Sequence, residues 1–213
     1  MRRLVTSVTE ENDMTKKSMN LPNTLSLLRV ALVPAFVVTL IFMREIDVWG
    51  KLVPAFIYIL TAFTDMLDGK IARKYGLVTD FGKFIDPLAD KFMVLSSMIS
   101  LDAVMFLEGQ VTEAIVFLFV VLVILLRELG VTSLRLVVAG KSGIVVAASI
   151  FGKAKTVSQM VGTVLILLES TVCPFSAQSH GIAYIAMGIM VVTTLFSGID
   201  YLKSYLPYID TNT

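Results

Sequence analysis

Apolar residues in this chain come in long runs broken by short polar stretches, the pattern of a polypeptide that crosses a bilayer repeatedly. About 20 apolar residues suffice to cross ~30 Å of hydrocarbon. Six stretches reach that length: 24–43 ("TLSLLRVALVPAFVVTLIFM"), 51–70, 86–106, 112–138 (with "AIVFLFVVLVILL"), 149–168 and 181–201. Each predicts a helix, because a helix satisfies its own backbone hydrogen bonds where no water is present. The expected fold class is therefore all-α, a polytopic membrane protein with six transmembrane helices. Cations between the runs set its orientation, since Lys and Arg favour the cytoplasmic side. Arg2, Arg3, Lys16 and Lys17 precede the first run, Lys70 ends the second and Arg73, Lys74 and Lys83 lie between it and the third, and Lys141 lies between the fourth and the fifth, which Lys153 and Lys155 open. Residues 107–112 and 169–180 carry no Lys or Arg, and 44–51 is mixed. Both termini are thus expected on the cytoplasmic side of the cell membrane. Without repeats or linkers, residues 21–205 read as one domain between a polar N-terminal extension, 1–20, and a C-terminal tail, 206–213.

Composition agrees. Of 213 residues, 56% are hydrophobic and 16% charged, against about 25% charged in ordinary soluble domains. The mean hydropathy is +0.82. A soluble domain of this size could not hide so much apolar surface in one core. The net charge of +1 says little about partners, and no nucleic acid partner is expected. The one cysteine, Cys173, excludes an intramolecular disulfide and a cysteine-based metal cluster, and reads as a lone buried thiol. Residues 1–20 lack the apolar core of a signal peptide and fit a loose segment near lipid headgroups.

Against this background "FTDMLDGKIARKYGLVTDFGKFIDPLADK", residues 63–91, is unexpectedly acidic. Asp65 and Asp68 are spaced to share one helix face, as are Asp86 and Asp90. One pair closes the second run and the other opens the third. If the two helices are antiparallel neighbours, four carboxylates converge at the cytoplasmic edge of the membrane. They need countercharge, and hard oxygen ligands suit Mg²⁺ or Mn²⁺. Asp80 falls off the pattern and reads as a solvated loop residue. Gly69 and Gly82 leave room for a substrate phosphate or base, Gly69 doubling as a helix cap. Arg73 is suited to a phosphate.

Asp65, Asp68, Gly69, Ala72, Arg73, Gly82, Asp86 and Asp90 together spell D-x-x-D-G-x-x-A-R, eight residues, G-x-x-x-D-x-x-x-D. This resembles the signature of the CDP-alcohol phosphatidyltransferase family at every position. The resemblance implies a six-helix membrane enzyme, usually a homodimer, that moves a phosphatidyl group from a CDP-linked lipid to an alcohol and releases CMP. It implies two divalent metal ions on the four aspartates, with Asp90 also the general base on the acceptor hydroxyl. Gly69, Ala72 and Arg73, with Asp68 and Gly82, would line the cytidine diphosphate pocket. Asn23 and Thr24 would lie near it, although either also reads as the N-cap of the first helix. Arg29 either snorkels or pairs with an aspartate.

Four more segments, "NLPNTLSLLRVALVP", "DPLADK", "RELGVTSLRLV" and "GKAKT", resemble the bacterial phosphatidylglycerophosphate synthases of that family. The expected substrates are then CDP-diacylglycerol and glycerol 3-phosphate. The charges agree. Arg127 and Arg135 lie on the fourth helix about 80° apart, and cations within a span default to function. With Lys153 and Lys155 they form a candidate pocket for the acceptor phosphate; the structural alternative pairs Arg135 with Glu128. Inositol phosphate, serine or phosphatidylglycerol are the alternative acceptors, and a cation transporter is the remote one. Asp200 is expected to pair with Lys203 or a pocket cation, His180 falls in an external loop, and Gly188 and Gly198 are candidates for close helix contact.

Overall fold

The computed structural model describes residues 21–75, 79–142, 149–172 and 179–208. Among them are six α-helices and no strand: α1 Leu21–Phe42, α2 Trp49–Tyr75, α3 Asp80–Leu107, α4 Val111–Ser142, α5 Ile150–Val172 and α6 Gly181–Tyr205, with a 3-10 turn at Leu206–Tyr208. Every apolar stretch is helical. The N-terminal extension and Cys173 lie outside the described residues. Asn23–Phe42, Trp49–Leu67, Val111–Gly140 and Gly181–Tyr205 are long and apolar enough to cross a membrane. The 28-residue α3 and the 23-residue α5 have the length but are not apolar enough over a full span. Phe42, Phe119, Leu126 and Phe196 are all exposed. Such surface is unfavourable in water and ordinary in lipid, so the chain is a membrane protein.

The helices form two compact units, the first ending at Ser97 and the second beginning at Met98, within α3. In the first, α1 packs along α2. Phe36 meets Tyr58 with ring centroids 5.4 Å apart, and Val33, Leu40 and Ala55 are buried. The connection between α1 and α2 is tight. The Gly50 amide donates to the Ile46 carbonyl at 2.6 Å, and a Cβ on Gly50 would stand 2.2 Å from the Met43 carbonyl oxygen. Only glycine lets the backbone approach so closely. The third helix of this unit starts at a cap: the Gly82 amide donates to Thr79 Oγ1 at 3.0 Å, the ordinary bond from N3 to an N-cap hydroxyl. Asp80 is therefore the first residue of α3 rather than a loop residue.

In the second unit α6 packs against α4 and α5. The α5–α6 contact is polar and close. Ser158 and Thr193 share a hydrogen bond of 2.7 Å, and Gln159 Nε2 donates to Thr194 at 3.3 Å. Gly162 admits Met190, whose Sδ would lie 2.9 Å from an added Cβ. Small and hydroxylic residues serve this purpose between helices in lipid. Of the two α6 glycines expected to allow close contact, a Cβ on Gly198 would stand 3.4 Å from Arg127 Cγ of α4, whereas one on Gly188 would meet nothing within 4 Å. Gly109, at φ 81°, ends α3: its amide donates to Phe106 and that of Gln110 to Met105, the paired bonds of a Schellman motif. The N-terminus of α6 is capped from another helix, since buried Glu169 of α5 accepts the amides of Ile182 at 2.9 Å and Ala183 at 3.2 Å. Glu113 of α4 accepts from Tyr184 at 3.3 Å and lies 4.0 Å from His180, which stands in the turn before α6.

Two stability changes follow, both measurable by thermal unfolding in detergent. Gly50→Ala forces the α1–α2 connection apart and is expected to cost about 1–3 kcal/mol, the range of overpacking. Glu169→Ala removes two charge-assisted bonds and is expected to cost roughly 1.5–3 kcal/mol; an unchanged midpoint would show that water caps α6 equally well.

Candidate active site

The first unit holds the carboxylates. Asp65 and Asp68 lie toward the end of α2, Asp86 and Asp90 toward the start of α3. One face of α1 serves both helices. Asn23, Ser26 and Arg29 recur every three residues, and all are buried, with Arg29 at 0% exposure. Arg29 Nη1 pairs with Asp65 Oδ1 at 2.5 Å. Ser26 Oγ donates to Asp86 Oδ1 at 2.6 Å. Asn23 Nδ2 donates to Thr79 Oγ1 at 2.9 Å, beside the α3 cap. Asp86 also stands near enough to Asp65 for the two charges to act on each other. The ends of α2 and α3 therefore meet over a polar stripe on α1.

This places several expected residues. Asp65 is a third exposed at its side chain and paired with Arg29, so part of the countercharge sought for the carboxylates comes from the chain itself. Asp86 is exposed and Asp90 half-buried. Helix α1 begins at Leu21, so neither Asn23 nor Thr24 is its N-cap. Asn23 is instead a buried link to Thr79, while Thr24 is exposed. Gly82 leaves the space that the Asn23 amide fills, for a Cβ there would stand 2.8 Å from Asn23 Oδ1. Asp68, Gly69, Ala72 and Arg73 belong to α2, but their side chains lie outside the described residues, as does that of Lys83.

Among the described residues no three His, Cys, Asp or Glu side chains stand close enough to hold a metal ion. The donor chemistry nonetheless suits a hard divalent cation. Asp65, Asp86 and Asp90 offer carboxylate oxygens only, Asp65 and Asp86 repel each other, and Asp86 is open to approach.

The second unit holds the cations. Glu128 Oε1 receives Arg127 Nη1 at 2.9 Å and Lys155 Nζ at 2.5 Å. Arg127 also donates to Ser197, and its guanidinium carbon lies 5.2 Å from the centre of the Tyr201 ring. Arg135 donates to the Tyr201 hydroxyl at 3.3 Å and lies 5.8 Å from the same ring centre. Arg127, Arg135 and Lys155 are thus gathered on Glu128 and Tyr201. Lys153 is exposed. Pairing Arg135 with Glu128 does not hold, because Arg127 and Lys155 take that carboxylate and Arg135 turns to Tyr201. Ser197 and Tyr201 escaped the sequence reading. Their spacing of four on α6 was the available signal, but a hydroxyl and a ring in an apolar helix look like packing residues.

Residues 19–196 match the family model described as CDP-alcohol phosphatidyltransferase. A CDP-diacylglycerol–glycerol-3-phosphate 3-phosphatidyltransferase of Bacillus subtilis (strain 168) is 40% identical over 85% of this chain and 93% of its own length. A probable phosphatidylglycerophosphate synthase of Mycobacterium tuberculosis (strain CDC 1551 / Oshkosh) is 37% identical over 88% of this chain and 82% of its own. A CDP-diacylglycerol–glycerol-3-phosphate 3-phosphatidyltransferase of Rickettsia bellii (strain RML369-C) is 32% identical over 89% of this chain and 97% of its own. With the carboxylate signature carried on the ends of α2 and α3, this chain belongs to the CDP-alcohol phosphatidyltransferase family.

Proposed function

We propose that the protein transfers the phosphatidyl group of CDP-diacylglycerol to sn-glycerol 3-phosphate, giving phosphatidylglycerophosphate and CMP. The observation that carries the choice of a phosphorylated acceptor is the cation cluster. Arg127, Arg135 and Lys155 against the single carboxylate of Glu128 leave two positive charges, the complement of a phosphomonoester dianion. Serine has no phosphate to bind there. The names of the relatives support the same acceptor.

In this reading Asp65, Asp68, Asp86 and Asp90 hold two divalent ions, Mg²⁺ or Mn²⁺. When bound, these neutralise the pyrophosphate and stabilise CMP as the leaving group. Asp90 takes the proton of the acceptor hydroxyl. The hydroxyl oxygen then bonds to the phosphatidyl phosphorus as the bond from that phosphorus to the CMP oxygen breaks. Gly69, Ala72, Arg73 and Gly82, with Asn23 and Thr24, belong to the side that binds the nucleotide. Arg29 and Ser26 act on the carboxylates, fixing Asp65 and Asp86 in place. Lys153, exposed at the start of α5, adds positive potential for an incoming anion. We further propose that all six helices cross the cell membrane with both termini inside, that the reaction takes place at the cytoplasmic side, and that the enzyme is a homodimer.

Asp90→Asn is expected to lower kcat at least ~100-fold, the scale of a lost general base, while CDP-diacylglycerol still binds. Full turnover in that variant would rule out the base role. Chelation with EDTA is expected to abolish CMP formation in the wild type, and added Mg²⁺ or Mn²⁺ to restore it; activity that persists through chelation would contradict the metal centre.

A further inference from the structure

Arg127 and Arg135 are separated by eight residues of α4, a rise of about 12 Å and a rotation of about 80°. Helix geometry alone does not aim two such side chains at one phosphate. One ring joins them: Tyr201 lies 5.2 Å from the first guanidinium carbon and 5.8 Å from the second, and its hydroxyl accepts from Arg135. We propose that Tyr201 is a positioning residue for the acceptor, holding the two guanidinium groups in the arrangement that receives the acceptor's phosphate. The inference rests on the reading of this cluster as the acceptor site.

The ring is itself held firmly. It is 5% exposed and belongs to a buried apolar group with Val131 and Val138 of α4 and Tyr205 of α6. Tyr205, at 0% exposure, stacks on it with centroids 6.1 Å apart and planes 11° apart. From the start of α5, Gly152 presents its bare backbone to the ring edge and hydroxyl; an added Cβ would lie 3.5 Å from both. Three helices thus fix one aromatic plate. A flat guanidinium is attracted to the ring through the aromatic quadrupole and keeps its N–H donors at the rim free for an anion. Lys155 needs no such plate, because Glu128 holds its ammonium directly. The division is chemical: the carboxylate sets Lys155 and one edge of Arg127, and the ring sets Arg135 and orients Arg127.

The test is steady-state kinetics of the purified full-length enzyme with both substrates varied, on Tyr201→Phe, Tyr201→Leu and Arg135→Ala. Tyr201→Phe keeps the ring and loses the bond to Arg135, and is expected to raise the KM for glycerol 3-phosphate about threefold. Tyr201→Leu loses both and is expected to raise it about tenfold. In each, the KM for CDP-diacylglycerol and the kcat at saturating acceptor stay near wild type, a split that general loss of structure would not give. Should the leucine variant fail to fold, the isosteric phenylalanine variant decides. An unchanged acceptor KM in Tyr201→Phe and Tyr201→Leu, with a raised one in Arg135→Ala, overturns the inference alone. An acceptor KM unchanged in Arg135→Ala as well overturns the acceptor-site reading beneath it.

Discussion

A guanidinium at 0% exposure on a largely apolar helix is costly unless a carboxylate meets it, and Arg29 meets Asp65. Removing Asp65 would strand the fully buried Arg29, at about 3–5 kcal/mol, whereas Asp65, a third exposed, would keep part of its solvation without Arg29. This constraint shapes the whole first unit. Arg29 fixes where the end of α2 lies against α1, and Ser26, one turn earlier, fixes Asp86 of α3. Asn23, a further turn back, fixes Thr79 and with it the start of α3. A three-residue repeat of polar side chains thus brings signature carboxylates from two helices to one place. Structural pairing and proposed chemistry share the same atoms, because a carboxylate near hydrocarbon must be compensated whether or not a substrate is bound.

The second unit answers the same constraint with the opposite sign. Here the excess is cationic, and compensation comes from one carboxylate and one aromatic ring. Glu128 neutralises part of the charge and leaves an excess of cations. A second carboxylate in place of Tyr201 would have cancelled more of that charge. A ring stabilises guanidinium groups without neutralising them. The two units thus differ in the sign of their excess, carboxylates in the first and cations in the second.

Much of this was legible in the sequence. The six apolar stretches lie in six helices, as expected of segments that must satisfy their own backbones, and the helix ends differ from the stretches by less than two turns. The aspartate signature was legible because its spacing maps directly onto helix faces. Contacts between helices were not. Glu128 was visible as a possible partner for Arg135, but helix spacing could not show that Lys155 of α5 reaches it first. Ser26, Ser197 and Tyr201 look like ordinary packing residues until the facing helix is known. Thr79 reads as loop until its hydroxyl is seen on the Gly82 amide. Glycines mattered where backbone or side chains crowd them, at Gly50 and Gly162, and composition gives no sign of that.

The most direct test of the central claim is CMP release by the purified wild-type protein with CDP-diacylglycerol and Mg²⁺ or Mn²⁺, across a panel of acceptors. Release that depends on glycerol 3-phosphate, and not on serine, inositol phosphate or phosphatidylglycerol, is the expected result. Release with one of the others in its place would contradict the choice of acceptor, and with serine or phosphatidylglycerol also the assignment of the basic cluster; no release from folded protein with any acceptor would contradict the transferase reading itself.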